Sequence, residues 1–212
     1  MSDQEIDVDG LRTELDQIKD AMGIRERSER ALERWLHVAA LVLVASAASQ
    51  YVQLRRLSGW YHTAVWVAMF SGYFLAVRFG LFGDRFRYPT AESKPNVLGL
   101  VWLVWLANIP IQFVFAGTNA FDGYVAISSH VLGLVVVLLG VSYVVVGNVL
   151  KAYYIRWRDR VAFYVGGVWL AALGAAIPNV DVLRTWGYAV FGASYAAYAV
   201  GVYLYLRGGS DD

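Results

Sequence analysis

The stretch that decides the fold runs over residues 124–150 and reads YVAISSHVLGLVVVLLGVSYVVVGNVL. It contains no charged side chain, and only glycine, serine, histidine and one asparagine interrupt the run of apolar and tyrosine residues. A hydrocarbon core about 30 Å thick requires about 20 helical residues to cross it. The stretch therefore predicts a transmembrane helix rather than the core helix of a soluble domain.

Working outward from this segment, the rest of the chain repeats the pattern, so the sequence predicts an all-α, polytopic membrane protein. The predicted bundle of six transmembrane helices covers residues 35–206, preceded by a cytoplasmic amphipathic, coiled-coil-like helix over 1–34 and followed by a flexible cytoplasmic tail over 207–212. The six predicted spans are residues 35–54, 60–82, 97–117, 124–150, 161–178 and 186–206.

The amino-acid composition is typical of a membrane protein. Hydrophobic residues make up 58% of the chain and charged residues 17%, whereas soluble proteins have about 25% charged residues. The absence of cysteine excludes disulfides, iron–sulfur clusters and a cysteine nucleophile. A net charge of +1 gives no basis for a nucleic-acid partner.

The positions of the basic residues predict the orientation. Lysine and arginine are retained on the cytoplasmic side of short loops. With the N-terminus inside, thirteen of them flank the inner ends of the six predicted spans and three flank the outer ends. The opposite orientation inverts this ratio. We therefore predict a multi-pass protein of the cell membrane with both termini in the cytoplasm.

The N-terminal segment carries a possible interaction face. Leu11, Leu15, Ile18 and Met22 recur at spacings of four, three and four, the seam of a short coiled coil or docking helix. One interpretation is a helix packed on the bundle or on the membrane surface. The other is a helix that binds a cytosolic partner or a second copy of the chain.

Small residues predict where helices approach closely, because close backbone contact takes the place of hydrophobic burial in lipid. The sixth predicted span has such a stripe, as does the fifth, and we expect these two to form a tight antiparallel hairpin. Gly133, Gly140 and Gly147 recur every seven residues and predict a groove for another neighbour. An oligomer or a membrane partner would use the same signature. The stripes of the sixth and fifth spans are Ala189, Ala193, Ala197 and Gly201, and Gly167, Ala171 and Ala175.

Polar side chains at membrane depth are costly and tend to face protein or a water-filled cavity. In the third predicted span Asn108 and Gln112 flank Pro110, which removes a backbone donor and loosens the helix. Ser46 and the pair Ser129 and His130 fall at similar heights in other spans. If these residues converge, they line a polar cavity in the outer half of the bundle.

The function predicted from these features is non-enzymatic: the protein handles a small solute or ion through a cavity lined by Asn108, Gln112, His130, Ser129 and Ser46. No aspartate or glutamate lies at depth in the six segments, which argues against a carboxylate proton or sodium pathway and against paired-carboxylate catalysis.

Two alternatives stay open. The protein could be a structural or regulatory membrane subunit that recruits a partner through its N-terminal helix. It could also be a quinone-linked redox protein with haem b between His62 and His130, since both histidines lie in the outer leaflet. No other cofactor and no further metal site is predicted.

Overall fold

The computed structural model describes residues 24–79, 123–152 and 157–208, and these residues form five α-helices with no strand. The all-α prediction is thus confirmed for the described ranges. The third predicted span, 97–117, lies outside them, as do Leu11, Leu15, Ile18 and Met22. The helices are α1 (Ile24–Leu54), α2 (Trp60–Arg78), α3 (Tyr124–Ala152), α4 (Trp157–Ala176) and α5 (Asp181–Arg207).

Three of these helices contain a segment long and apolar enough to cross a membrane: Trp35–Leu54, Tyr124–Val149 and Asp181–Arg207. The outer surface of the bundle agrees with this, because large apolar side chains such as Phe74 and Val168 are exposed there. These findings suggest a membrane location.

The contacts between helices fix their directions. Ser46 of α1 faces Gly192 and Gln53 bonds to Arg184, so α1 and α5 are antiparallel. Leu132 of α3 faces Gly187. The aromatic contacts described below lie further along both helices, so α3 and α5 run the same way. The bundle therefore has a Gln53 end, where α1 and α4 finish and the other helices begin, and an Arg207 end opposite.

Helix α2 is the outlying member of the bundle. It packs mainly on α1, antiparallel to it, and contributes Trp66 to the edge of a core built by the other four helices. Its N-terminal His62 lies beside Tyr124 at the Gln53 end, and its last residue, Arg78, lies toward the Arg207 end.

Helices α3 and α4 pack with their backbones in contact. A Cβ built on Gly140 would lie 2.6 Å from the Gly167 carbonyl oxygen, and one built on Gly167 would lie 2.8 Å from the Gly140 carbonyl oxygen. Gly133 and Gly174 repeat the arrangement seven residues away, at 2.7 and 2.6 Å. Gly147 lies against Tyr164. The neighbour of the predicted glycine groove is therefore α4 of the same chain.

The predicted tight hairpin between the fifth and sixth spans is wrong. Helix α4 packs mainly on α3 and α5 packs mainly on α1, whereas the backbones of α4 and α5 approach each other at few positions. Ala193, Ala197 and Gly201 are exposed and Ala189 is half-buried. The buried face of α5 is instead rich in aromatic residues, because tyrosine and phenylalanine bury more surface than alanine. That face comprises Gly187, Tyr188, Phe191, Gly192, Tyr195, Ala199 and Val202.

An aromatic cluster fills the half of the bundle toward the Arg207 end. Trp35 stacks on Phe163 with ring centroids 5.4 Å apart and meets Tyr143 and Tyr198 edge-on. The hydroxyls of Tyr143 and Tyr195 are 2.5 Å apart, and the Tyr198 hydroxyl donates to a carbonyl oxygen of α4. Trp35 is thus a half-buried packing residue.

Candidate functional site

Helix α1 carries a stripe of four buried polar residues, here called the polar stripe: Ser46, Ser49, Gln50 and Gln53. Their spacing of three, one and three residues places them on one face of a helix. That face turns toward α5 and α3, and none of the four side chains is more than 5% exposed. In an apolar bundle this stripe is the longest run of buried polar side chains on any one described helix.

Gln50 joins α1 to the second turn of α5. Its Nε2 donates to the Thr185 carbonyl oxygen at 2.8 Å, and its Oε1 accepts from the Ala189 backbone N–H at 3.0 Å. In a regular α-helix these two backbone groups, four residues apart, are each other's partners. The carboxamide therefore bridges one rung of the α5 hydrogen-bond ladder and fixes the register between the two helices.

Gln53 joins three helices. Its Nε2 donates to the carbonyl oxygens of Arg184 at 2.6 Å and Thr185 at 3.2 Å. Its Oε1 accepts from the Ser128 hydroxyl of α3 at 2.8 Å. Because every polar atom of this carboxamide has a partner, its burial costs little, and the Gln53 end is held together by hydrogen bonds rather than by apolar packing alone.

The two serines of the stripe differ from the two glutamines. Ser46 and Ser49 are fully buried, and neither hydroxyl has a hydrogen-bond partner in the described part of the chain. Leaving a buried hydroxyl unsatisfied costs about 1–3 kcal/mol. Such groups in a native protein call for an explanation, of which an ordered water or a bound polar molecule is the common one.

His62 attaches α2 to the same end of the bundle. Its ring stacks on Tyr188 of α5, with centroids 4.7 Å apart and planes inclined by 10°. Its Nε2 lies 3.1 Å from the Tyr124 hydroxyl of α3. The Nδ1 atom is buried and has no partner among the described residues. The histidine thus links three helices one layer beyond the polar stripe.

The five predicted cavity residues meet different outcomes. Ser46 belongs to the polar stripe. Ser129 is buried, but its hydroxyl donates to the Ala126 carbonyl oxygen of its own helix at 2.9 Å. His130 Nδ1 lies 2.7 Å from the same oxygen. Asn108 and Gln112 lie outside the described residues, so their convergence on the stripe stays a prediction.

The two predicted haem ligands, His62 and His130, lie on α2 and α3. His62 Nε2 is engaged by Tyr124, which precedes His130 by six residues, or about 9 Å along α3. His62 would have to give up this hydrogen bond to ligate iron through Nε2. Among residues 24–79, 123–152 and 157–208 no group of three or more histidine, aspartate or glutamate side chains could hold a metal ion.

Ser49, Gln50 and Gln53 were not among the five predicted cavity residues, and the signal that identifies them is the helical spacing of the polar stripe within an apolar segment. Comparisons of the chain with protein-family models, with curated proteins and with solved structures give no match.

Proposed function

We propose that this chain is a multi-pass protein of the cell membrane that handles a small solute or ion through the polar stripe of α1. The observation that carries the proposal is the pair of buried hydroxyls of Ser46 and Ser49, which have no hydrogen-bond partner among the described residues. Their desolvation is uncompensated by the described protein groups, whereas a passing or bound polar molecule would satisfy both. The neighbouring glutamines hold the surrounding helices at a fixed spacing.

We propose that the chain crosses the membrane six times. Arg78 lies toward the Arg207 end and Tyr124 lies at the Gln53 end, so these two residues lie at opposite ends of the bundle, as a return crossing between them requires. Residues 97–117 are apolar and long enough to provide this return. With six spans, the arginine count predicts that the Arg207 end, the start of α1 and the N-terminal segment face the cytoplasm.

The chemistry of the stripe favours an uncharged polar solute over an ion. Serine hydroxyls and glutamine carboxamides offer both donors and acceptors and carry no charge. The candidate spans Trp35–Leu54 and Tyr124–Val149 contain no aspartate, glutamate, lysine or arginine that would attract an ion. Asn108 and Gln112 have the same chemistry, and we propose that they face the stripe from the third span.

The test is solute flux into proteoliposomes. We expect the double variant Ser46→Ala/Ser49→Ala to slow stopped-flow swelling in glycerol, urea or formamide, while its thermal stability stays equal to or above that of the wild type. Flux should fall while stability does not, because these two hydroxyls bond to no described protein group. A purely structural pair of serines would instead lower stability when removed.

Ser142→Ala is the matched control. Ser142 is also a buried serine of a predicted span, but its hydroxyl donates to the Leu138 carbonyl oxygen of its own helix at 2.8 Å. Its removal should leave flux unchanged. Swelling rates no faster than those of empty liposomes for all three solutes would contradict the proposal.

A structural or regulatory membrane subunit is the second candidate. Two observations favour it: Gln50 and Gln53 are fully used in joining helices, and Ala193, Ala197 and Gly201 form an exposed stripe on α5. Under this proposal the partner contacts involve that stripe or the N-terminal helix. The flux assay separates the two, because a subunit of this kind gives no flux and shows no effect of the serine variants.

A further inference from the structure

An open groove runs between α1 and α2 in the half of the bundle nearer the Arg207 end. It has a volume of about 200 Å³ and is lined by His37, Ala40, Leu41, Val44 and Tyr73, with an almost wholly apolar surface. From His37 to Val44 the groove follows seven residues of α1, or about 10 Å. One leaflet is about 15 Å of hydrocarbon, half of the core thickness. The groove therefore extends over much of one leaflet.

A cation, Arg78, lies beyond this groove in the direction of the Arg207 end. Arg78 is the last residue of α2, five residues or about 7.5 Å beyond Tyr73 in the direction of the Arg207 end. It is exposed, and it forms no ion pair with any described residue. By contrast, Arg184 near the Gln53 end is paired with Asp181 at 3.3 Å and donates to the Pro178 carbonyl oxygen at 2.6 Å.

We propose that this groove holds one acyl chain of an anionic phospholipid and that Arg78 binds the phosphate of the same lipid. The inference rests on the membrane location of the proposed function, but not on solute handling. It assigns a lipid partner to a surface that the polar stripe does not use.

The size and the surroundings of the groove select this occupant. Pockets for drug-sized ligands have about 300–1,000 Å³ and are lined by some polar groups, whereas this groove is smaller, open along its side and apolar. A slender hydrocarbon chain fits such a shape. An arginine at headgroup depth supplies a planar donor that matches a phosphate. With the Arg207 end in the cytoplasm, the lipid belongs to the leaflet that carries anionic headgroups.

The experiment uses the full chain in nanodiscs that contain phosphatidylglycerol with a photoreactive acyl chain. We expect cross-links on α1 residues 37–44 and on Tyr73. Ala40→Trp fills the groove and should reduce this labelling at least about fivefold, whereas Ala172→Trp, the same change at an exposed alanine of α4, should not.

Arg78→Gln should weaken competition by unlabelled phosphatidylglycerol about tenfold, as expected for loss of one charge-assisted contact. Arg56→Gln, at the opposite end, should not weaken it.

Further probes identify the molecule that occupies the groove. Photoreactive diacylglycerol, which lacks the phosphate, should label the groove more weakly than phosphatidylglycerol, and soluble glycerol phosphate should not compete. Equal labelling by the two lipids would overturn the role of Arg78. The lipid site would be overturned if Ala40→Trp left the labelling unchanged. It would also be overturned if native mass spectra showed that Ala40→Trp converts a dimer to a monomer without loss of lipid. Neither result depends on solute flux, so the proposed function stands or falls separately.

Discussion

Replacing Gly140 by leucine should separate α3 from α4 and lower the free energy of unfolding by about 3 kcal/mol, the upper part of the range for overpacked interiors. A Cβ at this position would lie 2.6 Å from the Gly167 carbonyl oxygen and 2.7 Å from the Ala171 backbone nitrogen. Both are backbone atoms, which cannot rotate away as a side chain can. Alanine should therefore cause most of the loss that leucine causes.

The measurement is unfolding in mixed micelles with increasing dodecyl sulfate, followed by the loss of helical signal. Gly201→Leu is the matched control, because a Cβ at Gly201 would meet no atom within 4 Å. It should leave the midpoint nearly unchanged. Equal midpoints for the Gly140 and Gly201 variants would mean that the α3–α4 contact does not hold the bundle together.

Replacing Gln53 by leucine should cost about 2 kcal/mol of unfolding free energy, within the range for leaving buried polar groups unpaired. Leucine has a similar size but neither donates nor accepts. The Ser128 hydroxyl loses its acceptor, and the Arg184 and Thr185 carbonyl oxygens lose a donor from α1. Hydrogen exchange in the first turns of α5 should accelerate, since this end of α5 is held by the two glutamines.

Two variants check the cause of this loss. Ser129→Ala removes a buried hydroxyl that bonds only within its own helix among the described contacts, so it should change stability little. Ser128→Ala combined with Gln53→Leu should cost less than the sum of the single changes, because the two side chains are partners and their effects do not add. Strict additivity would show that the Ser128–Gln53 hydrogen bond contributes nothing.

The sequence alone was sufficient to predict that the described residues are helical, because apolar segments bounded by charged and aromatic residues depend only on local composition. The start of α2 at Trp60 and of α3 at Tyr124 agree with the predicted spans. It was not sufficient to pair them. The stripe of Ala193, Ala197 and Gly201 looked like a packing face, yet α5 buries its aromatic face. Which of two faces is buried depends on the partner helix, and composition does not reveal the partner.

The residues of the candidate site could also be predicted only in part from the sequence. Ser46 was predicted as a site residue, but Ser49, Gln50 and Gln53 were not, although they complete the helical spacing of the polar stripe. Tyr143 and Tyr195 were not singled out at all, since tyrosine is common at membrane interfaces. Their buried hydroxyl pair depends on two helices meeting at one height, which sequence spacing within either helix cannot show.

The most direct test of the central claim is the topology of the chain in intact cells. The protein has no cysteine, so single cysteines can be introduced without a background. A membrane-impermeant maleimide should label Ser58→Cys and Asn179→Cys at the Gln53 end in intact cells. It should label Gly208→Cys at the Arg207 end only after the membrane is permeabilised. Labelling of Gly208→Cys in intact cells, or recovery of the folded protein in the supernatant without detergent, would contradict the account.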